Sequence, residues 1–292
     1  MTMTFAEFFE LWPLFGDATL TGAFAGMTLG VLGVHVVLRR MVFLTAAISH
    51  TAALGVVLAV SLQGMIAGLA ALLTPTLGAF LMTLVTLAIV NIARRSTRDF
   101  SDSTLGAMYL LGAAGTLALG SHVQMELHEL NAMLFGTAVA VLKKDFWTVA
   151  ILGAALLAIQ GWLWRGFVAV TVDARDAAVR GLPVRALAAV LLLSLALFSS
   201  VSTRVLGPLP TFAFSILPAF AAIRVAKNTS RALVLAAGFG ALTGGGGYIV
   251  ATLGDLPVGA AQALTGLARI VRADLAARAL KKAALLRPKP AT

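Results

Sequence analysis

The sequence predicts an all-α polytopic membrane protein, and its composition, the length of its apolar runs and the placement of its charges lead to this prediction. Hydrophobic residues make up 60% of the 292 residues and charged residues only 12%. The mean hydropathy is +0.96. A soluble domain of this size needs more surface charge. Several runs approach or exceed the roughly 20 residues that an α-helix needs to cross a bilayer, whereas a β-barrel would show short alternating segments.

An aromatic segment opens the chain, and its rings fall on one face of a short amphipathic helix. These rings belong to Phe5, Phe8, Phe9, Trp12 and Phe15. Aromatic side chains of this kind anchor at the boundary between lipid and water. We therefore expect residues 1–17 to form an interfacial N-terminal segment.

Nine apolar runs follow and define a transmembrane domain over residues 18–271. They lie at about 18–38, 42–62, 65–92, 104–121, 146–164, 185–203, 208–225, 231–253 and 256–271. Arg269 and Arg272 shorten the last run, so we expect eight or nine transmembrane helices. Residues 131–142 are apolar but too short to cross. We expect a re-entrant or interfacial helix there, with protein covering its ends.

Glycine and proline residues also occur inside these runs. Glycines recur at three- and four-residue spacing in the first run, and Gly244 to Gly247 follow one another in the eighth. Small residues at such spacing let helices approach closely, so packing is expected, with a hinge at the four-glycine stretch as the alternative. Pro75, Pro210 and Pro218 lie within runs and predict local breaks or kinks.

The basic residues predict the orientation in the membrane. With the N-terminus external and the nine runs crossing alternately, only Lys143, Lys144 and Arg204 of the 22 basic residues fall outside. Cytoplasmic loops collect Lys and Arg. This bias explains the net charge of +10 without nucleic-acid binding. Residues 272–292 are expected to form a basic cytoplasmic tail that contacts anionic membrane lipids or a partner ATPase.

Several chemistries are missing from the chain. It has no cysteine, so disulfides and thiolate metal ligands are excluded. It has neither a Gly-x-x-x-x-Gly-Lys-Ser/Thr phosphate loop nor a His-Glu-x-x-His motif, and no apolar run holds a pair of carboxylates. These absences argue against a membrane enzyme. They favour a transporter with no permanently bound cofactor.

His50 is the residue that points to what is transported. It lies inside the second run, about 15 Å along a helix from Arg40. An ionisable side chain in hydrocarbon is costly and is tolerated mainly beside a bundle interior or a wet path. Imidazole is also a common metal ligand. We expect His50 and Ser49 to line a metal pathway, with a local hydrogen bond to Ser49 or to a backbone carbonyl as the alternative. His35, near the cytoplasmic end of the first run, is a further pathway candidate that could instead reach headgroups.

A polar external loop carries the other two histidines. If the loop is helical, His122, Glu126 and Glu129 share a face, and His128 lies between them. Nitrogen and oxygen ligands of this kind suit zinc. The loop is therefore a candidate site where the metal enters from outside, although a solvated polar loop explains the same residues.

The longest polar connection between runs, 165–185, contains a pattern typical of a short exposed helix. Residues 172–183, termed the coupling segment below, end in a Gly and a Pro that would stop the helix. A transporter without its own ATPase needs such a helix to receive a partner's motion. The candidate contact residues are Asp173, Asp176, Ala177, Arg180, Gly181 and Leu182.

Taken in order, motifs from about residue 14 to 265 resemble the bacterial zinc/manganese ABC import permeases. They are residues 33–41, which end in Leu-Arg-Arg-Met, residues 45–50 with the later Gly55, Asp102 to Gly106, Glu129 with Leu134-Phe135-Gly136, Asp173 with Ala177 and Gly181-Leu182-Pro183, Leu217-Pro218-Ala219, and Asp255 to Gly259. Two positions depart from the family. Its hallmark aspartate is Ala46 here, and its hallmark proline is Leu54.

The resemblance implies the membrane subunit of an ATP-driven importer in the bacterial inner (plasma) membrane. It implies alternating access powered by separate cytoplasmic ABC ATPase subunits, an extracytoplasmic metal-binding protein that delivers the ion, and a second copy of the permease. Asp102 joins the pathway candidates on this ground. Loss of a hard oxygen ligand at Ala46 disfavours manganese more than zinc, so zinc is favoured, with manganese or iron as alternatives.

Two other kinds of transporter stay open at this point. A permease for a metal chelate such as a siderophore, haem or cobalamin would need a wider, aromatic-lined path. A secondary cation carrier would work without an ATPase, and it would show inverted repeats and intramembrane carboxylates. The sequence shows none of these features.

Overall fold

The computed structural model describes residues 3–65, 73–93, 98–121 and 141–285, and the regular structure in these ranges is helical throughout. The helices, numbered here in chain order, are α1 (Phe5–Glu10), α2 (Trp12–Leu38), α3 (Val42–Met65), α4 (Pro75–Ala93), α5 (Arg98–Gly120), α6 (Lys143–Trp162), α7 (Trp164–Val172), α8 (Ala174–Val179), α9 (Val184–Leu206), α10 (Pro208–Val225), α11 (Thr229–Gly254) and α12 (Val258–Leu285). The all-α prediction is confirmed.

Eight helices of the described ranges are long and apolar enough to cross a membrane. They are α2 to α6 and α9 to α11. Their positions match the first eight predicted runs, and this agreement confirms a multi-pass membrane protein. The predicted re-entrant helix at 131–142 falls almost wholly outside the described residues.

The ninth predicted run lies on α12, which is not among those eight by composition. Its 28 residues extend about 42 Å. Gln262 donates to the Gly244 carbonyl at 2.9 Å, and Arg269 donates to the Leu242 carbonyl at 3.1 Å. At the far end, Asp274 forms an ion pair with Arg224 in the last turn of α10. α12 therefore runs antiparallel to α11 and reaches the opposite end of the bundle.

The proline positions correct part of the sequence prediction. Pro75 is the first residue of α4 and Pro210 lies in the first turn of α10, so neither interrupts a helix. Proline is favoured at the start of a helix because its missing N–H would have no intrahelical partner there. The predicted run starting at residue 65 therefore begins ten residues too early. Only Pro218 lies inside a helix, as expected.

The N-terminal aromatic residues divide between the bundle and its surface, contrary to the single interfacial face predicted for them. Phe8 is fully buried and Phe15 nearly so, and both belong to an apolar cluster with Tyr248 of α11. Phe5 and Phe9 stay exposed. The prediction failed because the partner ring is more than 200 positions away in the chain. α1 is thus attached to the bundle through Phe8.

Glycines bring α2 and α11 into backbone contact. A Cβ atom at Gly22 would lie 2.9 Å from the Gly244 carbonyl oxygen. Gly26 and Gly240 meet so closely that a Cβ on either would collide with the other's carbonyl oxygen. Because Gly22 faces Gly244 and Gly26 faces Gly240, the two helices run antiparallel. α11 continues without a break through the four-glycine stretch, so packing rather than a hinge explains Gly244.

Two glycines of α11 provide a matched test of this contact. Gly240 is in contact with Gly26, whereas nothing lies within 4 Å of a Cβ at Gly238. We expect Gly240→Ala to destabilise the protein by about 1–3 kcal/mol, because α2 must move away. Gly238→Ala should leave it unchanged or gain up to about 1 kcal/mol from helix propensity. Thermal unfolding of both variants in detergent checks this, and equal midpoints would contradict the contact.

Candidate functional site

His50 lies on α3 where α5 passes closest to it. Its ring meets the ring of Tyr109 edge-on, with 4.6 Å between ring centroids. One turn further along α5, a Cβ atom at Gly112 would lie 2.5 Å from the His50 carbonyl carbon. Glycine at this position is therefore what allows the two helices to bring His50 and Tyr109 together. The His50 side chain is half-buried, and Tyr109 is exposed.

One nitrogen of the His50 ring has no hydrogen-bond partner nearby. Its Nδ1 is buried and has no hydrogen-bond partner among the described residues. Ser49 is fully buried and donates its hydroxyl to the Thr45 carbonyl at 2.8 Å. The alternative in which Ser49 satisfies His50 is therefore wrong. Ala46, where the resembling family has an aspartate, is also buried and supplies no oxygen ligand.

The remaining ion-site candidates lie apart from His50. Asp102 is exposed on α5, seven residues or about 10 Å along the helix from Tyr109. His122, Glu126, His128 and Glu129 lie outside the described residues. In the described ranges, no three His, Cys, Asp or Glu side chains gather closely enough to hold a metal. Among the described residues, His50 thus belongs to no group of three potential metal ligands.

His35 occupies a different place from the one predicted. It is fully buried, its Nδ1 lies 2.9 Å from the Thr171 hydroxyl, and its ring packs against Phe167 of α7. A side chain enclosed in this way neither reaches headgroups nor lines a wet path. The pathway role of His35 stays a prediction that this position does not support, because α7 covers the side chain.

The coupling segment folds as its sequence predicts. Asp173 caps α8 by accepting hydrogen bonds from the backbone N–H groups of Arg175 and Asp176, at 2.8 and 3.1 Å. The bonds from Asp176 and Arg175 lower the pKa of the exposed Asp173 carboxyl below its ordinary value. Because the carboxylate accepts these bonds, the cap is complete at neutral pH and is lost only as the pH falls through that lowered pKa.

The end of α8 turns sharply and presents a mixed surface. Gly181 takes a positive φ of 78°, which glycine adopts without strain, and the Leu182 amide donates to the Ala177 carbonyl. Ala177 is buried, whereas Val179 is 88% exposed. The salt bridge from Arg180 to Asp176 is also on the surface. The segment thus anchors one side in the protein and exposes an apolar tip between charges.

Three residues of these sites were missed from the sequence. Tyr109 and Gly112 are paired with His50 by helix packing, and Thr171 is 136 positions from His35. One signal was available for the first two. They lie three residues apart on α5, and residues at this spacing share one face of a helix.

The chain matches the ABC 3 transport family over residues 12–271. It is 26% identical over 262 residues to the manganese transport system membrane protein MntC of Listeria monocytogenes, covering 90% of each chain. It is 28% identical over 251 residues to the high-affinity zinc uptake system membrane protein ZnuB of Haemophilus influenzae, covering 85% of this chain and 92% of the relative.

A solved structure shares the fold. PsaBC from Streptococcus pneumoniae, in complex with Fab, superposes with a TM-score of 0.81 at 24% identity. The superposition covers 92% of this chain and 95% of that one. Over nine-tenths of its length, the helical arrangement described above is therefore one that a solved structure also adopts.

The Asp173 cap can be tested by matched substitutions. Asp173→Ala removes the acceptor and should unfold α8 locally, so trypsin should cut after Arg175 and Arg180 about threefold faster. Asp173→Asn should match the parent protein, because Asn caps helices equally well. Mass spectrometry of timed digests at neutral pH measures both rates. An unchanged rate in the alanine variant would show that the cap does not hold α8.

Proposed function

The chain belongs to the ABC 3 transport family, and from this premise we propose that it is the permease subunit of an ATP-driven importer of divalent metal, with zinc as the favoured ion. The family is one of manganese and zinc transport permeases, so metal transport and a membrane location follow from membership. Beyond family membership, we propose the identity of the ion, the ATPase subunits that drive transport and the path through the membrane.

The observation that carries the proposal is the unsatisfied imidazole of His50 at membrane depth. A buried polar atom without a partner costs stability unless something compensates for it. His50 Nδ1 lacks a partner, and the ring lies beside the exposed Tyr109. A passing hydrated cation supplies a transient partner. The lack of a three-ligand cluster in the described ranges supports transient passage, since a tight site would retain the ion.

The surroundings of His50 favour zinc over the other candidates. With Ala46 in place of an acid, α3 offers a nitrogen ligand and no carboxylate beside it. Zinc accepts nitrogen-rich ligand sets more readily than manganese does. Zinc is therefore the favoured ion.

The coupling segment is the proposed docking site for the cytoplasmic ABC ATPase subunits. Its exposed Val172 and Val179 offer apolar contacts, and Arg180 and Asp176 flank them with charge. Arg39, Arg40 and Arg231 lie at the same end of the bundle, because α2 and α11 are antiparallel. A basic end is expected to be cytoplasmic, which places the N-terminus of α2 outside.

Two further partners complete the proposed importer. An extracytoplasmic metal-binding protein would deliver the ion near residues 122–129, which follow α5 in the sequence. A second copy of the chain would cover the apolar face of α5, where Leu110, Leu111 and Leu117 are exposed next to Tyr109. The ion path would then run along the axis of a homodimer, and ATP-driven movement of the coupling segments would alternate access to it.

Removing the His50 imidazole tests the pathway. In the complete transporter, His50→Ala should reduce zinc uptake at least about tenfold, because the ion loses its ligand at membrane depth. Radioactive zinc uptake into cells or proteoliposomes measures this, with membrane insertion checked by the amount of protein extracted. Undiminished uptake at normal protein levels would remove the pathway role of His50.

The absence of cysteine allows a second test of water access at this position. A single thiol in His50→Cys should react with a charged, water-borne methanethiosulfonate, and zinc should slow that reaction. Ala52→Cys, two residues along α3 and fully buried, should react at least about tenfold more slowly. Equal, negligible labelling of both thiols would place His50 against lipid or in dry packing.

A further inference from the structure

We infer that His35 is a positioning residue that connects the coupling segment to the transmembrane helices through its hydrogen bond to Thr171. This inference rests on the proposed transport function, because it assigns the contact by which ATPase motion enters the bundle. The sequence placed His35 near the ion path or at the headgroups. The structure places it at the start of a mechanical connection instead.

The contact itself is enclosed on all sides. His35 is 0% exposed and Thr171 only 7%, and 2.9 Å separates His35 Nδ1 from the Thr171 Oγ1. The Phe167 ring, also fully buried, meets the imidazole edge-on with 6.0 Å between centroids. Water cannot replace this hydrogen bond when the helices separate. Breaking it therefore leaves unpaired polar groups in an apolar environment, which opposes sliding of α7 against α2.

On the cytoplasmic side, the contact leads directly into the coupling segment. Thr171 is two residues from Asp173, whose side chain caps α8. Ala177 of α8 is buried in one apolar cluster with Phe167 and Val170 of α7. α7 and α8 are thus joined both through the chain and through side chains. A push on α8 moves Thr171 with it.

On the membrane side, His35 belongs to α2, whose glycines are in backbone contact with two neighbouring helices. A Cβ on Gly33, two residues away, would collide with the Ser215 carbonyl of α10. Further along α2, Gly26 is in backbone contact with Gly240 of α11. Because backbones in contact cannot slide freely, displacement of α2 carries α10 and α11 with it. α10 in turn contacts α3, which bears His50.

The chemistry of the two side chains also favours a positioning role over simple filling of space. Any apolar residue would fill a buried position between α2 and α7 at lower cost. A hydrogen bond adds direction, because it weakens steeply when its geometry is lost. The pair therefore sets the register of α7 against α2.

The test measures coupling rather than activity alone. The complete transporter, with its ATPase subunits and binding protein, is reconstituted in proteoliposomes, and zinc ions moved per ATP hydrolysed are counted. Thr171→Val keeps the shape but removes the hydroxyl, and should lower this ratio about threefold. Thr171→Ser retains the hydroxyl and should preserve the ratio.

Substitutions at His35 distinguish which nitrogen matters. Asn places a polar atom near the position of Nδ1, so His35→Asn should keep the ratio. Gln places its polar atoms nearer the Nε2 position, so His35→Gln should lower it about as much as Thr171→Val does. The double variant His35→Gln/Thr171→Val should be no worse than either single change, since both remove one shared bond. If His35→Gln does not fold, the comparison of Thr171→Val with Thr171→Ser still tests the inference.

The outcomes separate this inference from the transport function. An unchanged ratio in Thr171→Val, with only a lower melting temperature, would show a purely structural role and overturn the inference alone. A parent complex that moves no zinc on ATP addition would overturn the proposed function, and the inference with it. Fewer zinc ions moved per ATP in Thr171→Val, with an unchanged number in Thr171→Ser, supports the connection through His35 and Thr171.

Discussion

Backbone contact between α2 and α11 is the constraint on which the rest of the structure depends. Hydrocarbon offers no hydrophobic force between helices, so association relies on close packing and on small residues that permit it. Gly26 and Gly240 provide this contact at the centre of the pair. With α2 fixed in this way, its C-terminal end presents His35 to α7. α10 packs against both helices and supports the helix that carries His50.

The two membrane histidines show how environment divides roles between identical side chains. His35 is completely buried and has a hydroxyl partner at Nδ1, while its Nε2 has no hydrogen-bond partner among the described residues. His50 keeps Nδ1 without a partner and is only half-buried, next to an exposed tyrosine. Each ring therefore has one unpaired buried nitrogen, and the difference between the two histidines is access: α7 covers His35, whereas His50 lies near the surface of the chain. This difference in access supports the proposed pathway role of His50 and the proposed positioning role of His35.

The sequence predicted local structure well and tertiary pairings poorly. The apolar runs located eight helices, and the Gly and Pro at 181 and 183 correctly ended α8. Both signals are local: helix length and turn chemistry need no distant partner. The burial of Phe8 against α11 and the bond of His35 to Thr171 depend on residues far along the chain. Amphipathic spacing could not show them, because an aromatic face looks the same whether lipid or protein covers it.

The isolation of His50 also bears on how a permease can select an ion without holding it. A complete ligand cage would bind zinc too tightly to release it, and structural zinc sites commonly use four protein ligands. Among the described residues, His50 belongs to no group of three potential metal ligands, and the Ala46 side chain contributes no oxygen. In the proposed pathway, selection at such a site would rest on ligand type rather than on affinity. Nitrogen without a neighbouring carboxylate disfavours hard cations and would leave a passing ion free to exchange.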